Sequence, residues 1–372
     1  MTPSVVPAAP GPVRAAGVPA RALTLALALA LAASAGCGGC HRDIRFAPGE
    51  ADSTHVGADS LRVLLRNTQD LWESDGGEEA AKLSALVLRV DLQAHAGEPW
   101  GGRARRLLDS LDIGAELASD DRVLAANFFS RSRPDAGAWP WLFWHARGGI
   151  AARALAGRNL QLLHVASRVD GDDPSAWSQV AVLFGRRGAV GQEPVLTLWG
   201  RPGGDSWAPL QTLGPDSLGG AGTVSIEGNG DTSTVLVART FRGMPRFEEC
   251  ATCPHVYELH RFRWGPAGFV RIEDVAVPSP YSAFVRFILA LGNGDPDAAG
   301  RLVSDPAALE QAKLFDFGAL PKGLWRAAPA SDENAGSMVF FRGQQEAYQV
   351  TFEPRGSEWL ILSIKPTTRS IE

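Results

Sequence analysis

The sequence predicts an α+β protein with an N-terminal helical cap, a central antiparallel β domain and a C-terminal α+β domain. Three observations lead to this fold class. Residues 59–114 carry apolar side chains at helical spacing, and residues 115–277 are short apolar runs separated by Gly, Pro, Asp and Asn. Residues 278–372 begin with an amphipathic helix and continue as strand-like runs. A chain of 372 residues, 45% of them hydrophobic, is long enough to bury several cores.

Composition and charge exclude several classes of protein. The chain has 36 Lys and Arg against 41 Asp and Glu, a formal net charge of −5, so no basic field predicts a nucleic-acid partner. Four cysteines are too few for a disulfide-dense miniprotein. The sequence contains no G-x-S-x-G, H-E-x-x-H or S-x-x-K motif, so we assign no catalytic residue from it.

The N-terminus has the pattern of a secretory signal. Arg14 and Arg21 precede Ala22–Ala33, a run of twelve residues in which only Thr24 is polar. A transmembrane helix needs about 20 apolar residues, so this run is too short to span a bilayer comfortably. A basic region, a short apolar core and small residues together predict a signal peptide over residues 1–36.

The residues that follow the apolar core suggest how the signal is processed. Ser34-Ala35-Gly36-Cys37 resembles a bacterial lipobox, although the family usually has Leu where this chain has Ser34. The resemblance implies that Cys37 receives lipid and becomes the first residue of a membrane-anchored lipoprotein of the cell envelope. The alternatives are ordinary cleavage after Ala33-Ser34-Ala35, which gives soluble export, and an uncleaved anchor. Residues 37–58 are then a tether.

A second interpretation overlaps the lipobox. Cys37-Gly38-Gly39-Cys40-His41 is a literal C-x-x-C-H, the attachment motif of c-type haem. Two free thiols and an axial His are required for that attachment, and a lipidated Cys37 has no free thiol. We therefore expect lipid here and keep haem c as the alternative.

The helical and strand segments follow from hydrophobic periodicity. Leu61, Leu64, Leu65 and Leu71 fall on one helical stripe, and Glu78–His95 and Gly102–Leu111 are two further amphipathic segments. Nine strands are expected in the central domain, too few for a full propeller at four strands per blade, so a sandwich or barrel-like sheet is favoured. The nine strands are Val123–Phe129, Trp139–Ala146, Leu160–Ser167, Gln179–Phe184, Val195–Gly200, Thr223–Ile226, Thr234–Thr240, Val256–Trp264 and Phe269–Val275.

The C-terminal region opens with a strong amphipathic helix, Tyr281–Leu291, which Gly292-Asn293-Gly294-Asp295 ends. A short helix, Pro296–Val303, follows, and then four strand candidates: Gly323–Ala327, Met338–Arg342, Glu346–Pro354 and Glu358–Ile364. The run from Phe284 to Asp295 resembles the opening helix of NTF2-like domains. That resemblance implies an α+β cone whose concave sheet and helix hold a ligand or form a dimer.

The strongest cluster of reactive side chains is Cys250, Cys253, His255 and His260. As a zinc site the four would be C-x2-C-x-H-x4-H, a spacing unlike that of the common zinc fingers. In an exported protein the two cysteines are expected to form a structural disulfide. A redox-active pair is the third alternative, although the βαβ pattern of thioredoxin-like proteins does not surround it.

Two glycine-containing loops allow weaker interpretations. Glu227-Gly228-Asn229-Gly230-Asp231 has the alternating oxygen ligands of a calcium loop, but Thr232 stands where Gly would make the sharp bend. Asn-Gly between two strands is a hairpin signal, which we favour. The glycine-rich run 214–222 lacks the Lys of a P-loop, so turn chemistry or a mobile loop beside a site explains it better than phosphate binding.

One strand carries an unusual density of aromatic residues and is a candidate binding surface. Trp139, Trp141 and Phe143 alternate with Leu142 and Trp144, so the two sets are expected on opposite faces. Pro140 cannot donate to a ladder, which suggests an edge strand. The alternative is a strand buried between the sheet and the N-terminal helices, and we favour it.

The sequence therefore predicts a non-enzymatic cell-envelope lipoprotein that binds an unknown protein or small ligand and needs no cofactor. Lipid on Cys37 is expected to anchor the protein to the membrane. The alternative is an exported metal-dependent enzyme or zinc-binding protein that uses Cys250, Cys253, His255 and His260.

Overall fold

The computed structural model describes residues 58–74, 77–134, 137–146, 148–169, 177–201, 207–228, 234–319, 323–328 and 334–368. Within these ranges sixteen strands form four antiparallel sheets, and in each sheet the strands are neighbours in the order in which they occur along the chain. The α+β class and the antiparallel pairing are thus confirmed. The predicted signal peptide and lipobox lie outside the described residues.

Three helices open the described region: α1 (Ala58–Ser74), α2 (Gly77–Ala94) and α3 (Trp100–Ser110). Helix α2 carries acidic residues in its first turn, where they stabilise the helix dipole. Its apolar stripe, which includes the fully buried Leu88 and Leu92, packs against the first sheet. The side chain of Gln93 accepts a hydrogen bond of 2.6 Å from the backbone N–H of Ile150 in that sheet. Helix α2 therefore packs on this sheet.

Twelve of the described strands form three successive meanders, which we call sheets A, B and C. Sheet A contains β1 (Gly114–Ser119), β2 (Val123–Phe129), β3 (Ala138–Ala146) and β4 (Gly149–Ala154). Sheet B contains β5 (Gln161–Val169), β6 (Trp177–Arg187), β7 (Gln192–Gly200) and β8 (Ala208–Leu213). The short helix α4 (Pro215–Leu218) leads to sheet C: β9 (Ala221–Glu227), β10 (Val235–Phe241), β11 (Tyr257–Gly265) and β12 (Gly268–Ala276).

The three sheets stack face to face. On β6, Val180, Val182 and Phe184 pack towards sheet A. The alternating Ala181 and Leu183 pack towards sheet C. Sheet B is buried on both faces, which explains why this stretch of β6 is apolar at every position. The expected two-layer sandwich or barrel is therefore replaced by a stack of three sheets with the helices on its outer side.

The fourth meander, sheet D, lies in the C-terminal region. It contains β13 (Trp325–Ala327), β14 (Ser337–Arg342), β15 (Glu346–Arg355) and β16 (Glu358–Pro366). Three helices precede it: α5 (Pro280–Gly292), α6 (Pro296–Gly300) and α7 (Pro306–Leu314). Helix α5 begins with a capping box between Ser279 and Ser282 and with Pro280 in its first turn. Its apolar face packs onto sheet D.

The segment between β10 and β11, residues 242–256, connects sheet C to sheet D, and we call it the cysteine loop. Its residue Phe247 forms a parallel bridge with Trp325 at the edge of sheet D. The backbone N–H of Trp325 donates to the carbonyl of Arg246, and the backbone N–H of Glu248 donates to the carbonyl of Trp325; both hydrogen bonds are 2.8 Å long. The Arg246 side chain donates to the carbonyl of Gly292 at the end of α5, over 3.1 Å. Contacts of this kind join Val56–Glu372 into one compact unit.

In the described part of the chain, none of the helices combines the length and the apolar character that a membrane span requires.

Candidate functional site

The cysteine loop carries a disulfide at its apex. The Sγ atoms of Cys250 and Cys253 are 2.02 Å apart, and Cys253 donates its backbone N–H to the carbonyl of Cys250 over 3.1 Å. Ala251 and Thr252 between them are exposed, Cys250 is partly exposed, and Cys253 is 9% exposed. A ring of four residues constrains the unfolded chain little, so the chain-entropy model gives this bond only about 2 kcal/mol of stabilisation.

The zinc set proposed from the sequence is not assembled. Both thiolates of the set are consumed by the disulfide, and zinc binds the thiolate form. His255 and His260 each bind a carboxylate of their own, Glu249 and Asp274 respectively. In the described residues no group of three or more His, Cys, Asp or Glu side chains is arranged to hold a metal ion.

His255 and Glu249 form a buried pair at the base of the cysteine loop. Nδ1 of His255 lies 2.6 Å from Oε2 of Glu249, and the two side chains are 3% and 7% exposed. The His255 ring stacks on Phe241 with its centroid 3.5 Å away, and the second Glu249 oxygen accepts from the backbone N–H of Met244. Burial, and then the nearby charge of Glu249, raise the pKa of the Tyr281 phenol far above its ordinary value. Glu249 thus links Met244, near the start of the cysteine loop, to His255, near its end.

His260 lies on β11 and is 1% exposed. Its Nδ1 lies 2.7 Å from Oδ1 of Asp274 and also contacts the guanidinium of Arg271. A β-bulge between β11 and β12 brings Arg271 and Asp274 onto the same face, although they are three residues apart. The hydrogen bond from His260, followed by that from Arg271, lowers the pKa of Asp274.

The other nitrogen of His260 is closed off from any ligand. Nε2 lies 3.4 Å from Oε2 of Glu258 but makes no hydrogen bond. It faces Gly219 so closely that a Cβ atom built there would be 2.1 Å away. Within the run 214–222, residues Pro215–Leu218 form α4 and Gly219 packs on His260.

The aromatic strand β3 is an inner strand of sheet A, so the expectation of an edge strand is wrong. The sheet accommodates Pro140 because this residue lies opposite Leu155, just beyond the end of β4. The Pro140 carbonyl accepts a hydrogen bond from the Leu155 N–H, and no ladder bond at this position needs the N–H that proline lacks. Phe143 is fully buried and Trp144 is 7% exposed. The predicted alternation is present: Trp139, Trp141 and Phe143 pack with the helices, and Leu142 and Trp144 pack towards sheet B.

A depression of about 450 Å³ lies beside the cysteine loop, and we call it the polar depression after the amide side chains that line part of it. The turn before β5, the β6–β7 hairpin and the apex of the cysteine loop supply its walls. The Nε2 group of Gln192 donates to Oε1 of Gln161 over 3.0 Å across it. The Gln192 side chain lies over Gly185, since a Cβ atom at this position would be 2.2 Å from the Gln192 amide. The lining residues are Asn159, Gln161, Gly185, Arg187, Gly188, Ala189, Gly191, Gln192 and Ala251.

The sequence reasoning missed this depression. Its lining residues come from three separate loops, and the one local signal was the spacing of Gly185, Gly188 and Gly191 in a hairpin that also carries Arg187. Short polar hairpins are usually interpreted as turns.

The interior of the C-terminal region is filled with side chains. Phe284 stacks on Phe340 with ring centroids 3.7 Å apart, and Trp325 meets Phe284 edge-on at 5.2 Å. The guanidinium of Arg342, 2% exposed, lies among aromatic rings and donates to the carbonyls of Phe315 and Asp316. A ligand in the concave space that an NTF2-like cone implies would have to displace these groups.

The remaining sequence candidates are placed as follows. Strands β9 and β10 form the expected antiparallel hairpin, in which Glu227 pairs with Val235. Asn229, Gly230 and Asp231, which a calcium loop would need, lie outside the described residues, as do Cys37, Cys40 and His41 of the lipid and haem c interpretations. Comparison of the chain with models of protein families, with characterised proteins and with solved structures found no match.

Proposed function

We propose that the protein is a non-enzymatic binding module of the bacterial cell envelope, tethered to the membrane by lipid on Cys37, and that a polypeptide partner binds in the polar depression. The observation that carries this proposal is the lining of the depression. Its Asn and Gln side chains offer both donors and acceptors, as a peptide backbone does. Arg187 adds a charged donor for a carboxylate.

The same lining favours binding over catalysis. Arg187 is the only ionisable side chain among the lining residues, and a guanidinium stays protonated at physiological pH. General acid–base catalysis needs a group that exchanges a proton near the operating pH. The buried histidines, His255 and His260, contribute nothing to the lining.

We also propose a helical cap at the N-terminal side of the fold and an NTF2-like domain at its C-terminal side. Helices α1–α3 would serve as a cap on sheet A, which is supported by the burial of the α2 stripe against it. The C-terminal region would be an NTF2-like domain, supported by its order of three helices and then a four-stranded antiparallel sheet. Because its interior is filled by Phe284 and its neighbours, we assign it a structural role and not a ligand pocket.

The anchoring is tested by metabolic labelling. Labelled palmitate is expected to enter the wild-type chain in a bacterial host and to be lost in Cys37→Ala, since the lipid would attach through that thiol. Cys40→Ala is the matched control and should keep the label. Label that persists in Cys37→Ala, or never enters the wild type, would refute the lipoprotein.

The binding site is tested by photocrosslinking in cells. A benzoylphenylalanine residue in place of the exposed Ala189 should crosslink a discrete polypeptide, and Arg187→Ala should lower the yield about tenfold, the effect of losing one charge-assisted hydrogen bond. The control places the same probe at Leu314, 79% exposed and in α7. Equal products from both positions, or a yield that Arg187→Ala leaves unchanged, would contradict the assignment. Binding to a carbohydrate array without any crosslinked polypeptide would show that the ligand is a glycan.

A further inference from the structure

We infer that the Cys250–Cys253 disulfide is a thiol–disulfide exchange site that oxidises a dithiol in a polypeptide substrate. The two cysteine residues differ in exposure. Cys250 is partly exposed next to the exposed Ala251 and Thr252, whereas Cys253 is 9% exposed. An incoming thiolate therefore reaches the Cys250 sulfur first, and the more buried Cys253 is the leaving group.

The cysteine loop is held in place by contacts that do not depend on the disulfide. Arg246 donates to the end of α5, and Phe247 is buried and bridges to Trp325. At the other end, His255 is stacked on Phe241 and bonded to Glu249. The disulfide can therefore open and close while the fold stays intact. A disulfide that cycles between its oxidised and reduced forms needs this property, whereas a purely structural disulfide does not.

The substrate class follows from the neighbouring depression, so this part rests on the proposed function. Ala251, which lies between the two cysteines, is one of the lining residues. A polypeptide bound among Gln161, Gln192 and Arg187 thus runs past the disulfide. A cysteine in that segment would be positioned to attack Cys250.

The reaction balances without any further reagent in a single turnover. A substrate thiolate attacks Sγ of Cys250, a mixed disulfide forms, and Cys253 leaves as a thiolate that takes a proton from water. The second substrate thiolate then attacks the substrate sulfur of the mixed disulfide and releases Cys250 as a thiolate, which is protonated in turn. The substrate gains a disulfide by losing two electrons, and Cys250 and Cys253 are reduced to the dithiol.

Glu249 is inferred to be a positioning residue in this cycle. It precedes Cys250 directly and pairs with His255, which follows Cys253 by two residues. While the disulfide is closed, the covalent bond and the pair both hold the apex. Once the disulfide is open, the pair is the side-chain contact that still joins the residues on either side of the two cysteines, so its loss should matter more in the reduced form.

The exchange is measured on the oxidised, detergent-solubilised full chain. The two probes are reduced glutathione and a twelve-residue peptide with a Cys-x-x-Cys sequence, and alkylation of the tryptic fragment 247–261 reports the outcome. We expect the peptide to reduce the disulfide at least tenfold faster than glutathione at equal thiol concentration, with an unchanged circular dichroism spectrum. Reduction only after denaturant is added, or loss of the folded spectrum on reduction, would overturn the exchange site and leave a structural disulfide.

Variants separate this inference from the proposed function. Arg187→Ala should remove the rate advantage of the peptide over glutathione. Equal rates for both probes in the wild type would refute the polypeptide substrate and the depression as its docking site, whereas failure of both probes refutes the exchange site itself. Glu249→Gln should make the reduced loop at least fivefold more sensitive to protease than the oxidised loop. The neighbouring control Glu248→Gln, at an exposed residue, should show no such difference, and equal behaviour of the two variants would overturn the positioning role.

Discussion

Phe284→Ala is expected to lower the free energy of unfolding by about 3–5 kcal/mol, the usual cost of removing a fully buried phenylalanine. Phe284 is 0% exposed and lies where α5 meets sheet D. Its ring stacks on Phe340 and meets Trp325 and Phe317 edge-on, at centroid distances of 3.7, 5.2 and 6.4 Å. These rings are themselves buried and held by their neighbours, so they cannot collapse into the space that alanine would leave.

Urea unfolding followed by tryptophan fluorescence measures this effect, because Trp325 is one of the contacts that would be lost. Leu314→Ala is the matched control: it also removes a large apolar side chain from this region, but one that is 79% exposed. The control should change the free energy of unfolding by no more than about 0.5 kcal/mol. If the two variants lost the same stability, the aromatic cluster would not be the core of the C-terminal region.

The strands that the sequence failed to predict share one physical property. Strands β1, β4 and β8 each lie at the edge of a sheet, and their residues are mostly partly buried or exposed. An edge strand loses the clean alternation on which the prediction depends, since part of both its faces is solvated. The inner strands β2 and β6, buried on both faces, were found at once from their apolar runs.

The candidate site was predictable only where it is local in sequence. The spacing of Cys250 and Cys253 was enough to propose a disulfide. It could not show that His255 and His260 bind separate carboxylates, Glu249 and Asp274, because Asp274 lies on the neighbouring strand. The polar depression depends on how sheet B, the turn that precedes it and the cysteine loop approach one another, which no local pattern records.

Gly219→Ala is expected to cost about 3 kcal/mol or more of folding free energy, which combines backbone strain with overpacking. Gly219 ends α4 at φ +93°, a conformation that L side chains rarely adopt. An added Cβ would lie 2.1 Å from Nε2 of His260 and 2.5 Å from Oγ1 of Thr240. Neither atom can move freely, because His260 is bonded to Asp274 and Thr240 donates to the carbonyl of Leu218.

Two further variants separate the contribution of backbone strain from that of overpacking. Gly214→Ala, in the same loop but at φ −92° with no atom within 4 Å of the added Cβ, should cost less than about 1 kcal/mol, the effect of a weaker helix cap. In a His260→Ala background one of the two collisions is gone while the strained φ remains. Gly219→Ala should there cost at least about 1 kcal/mol less than in the wild type, a coupling of the size expected for residues in contact. A cost that is the same in both backgrounds would mean that His260 yields without resistance, and that backbone conformation alone requires glycine at this position.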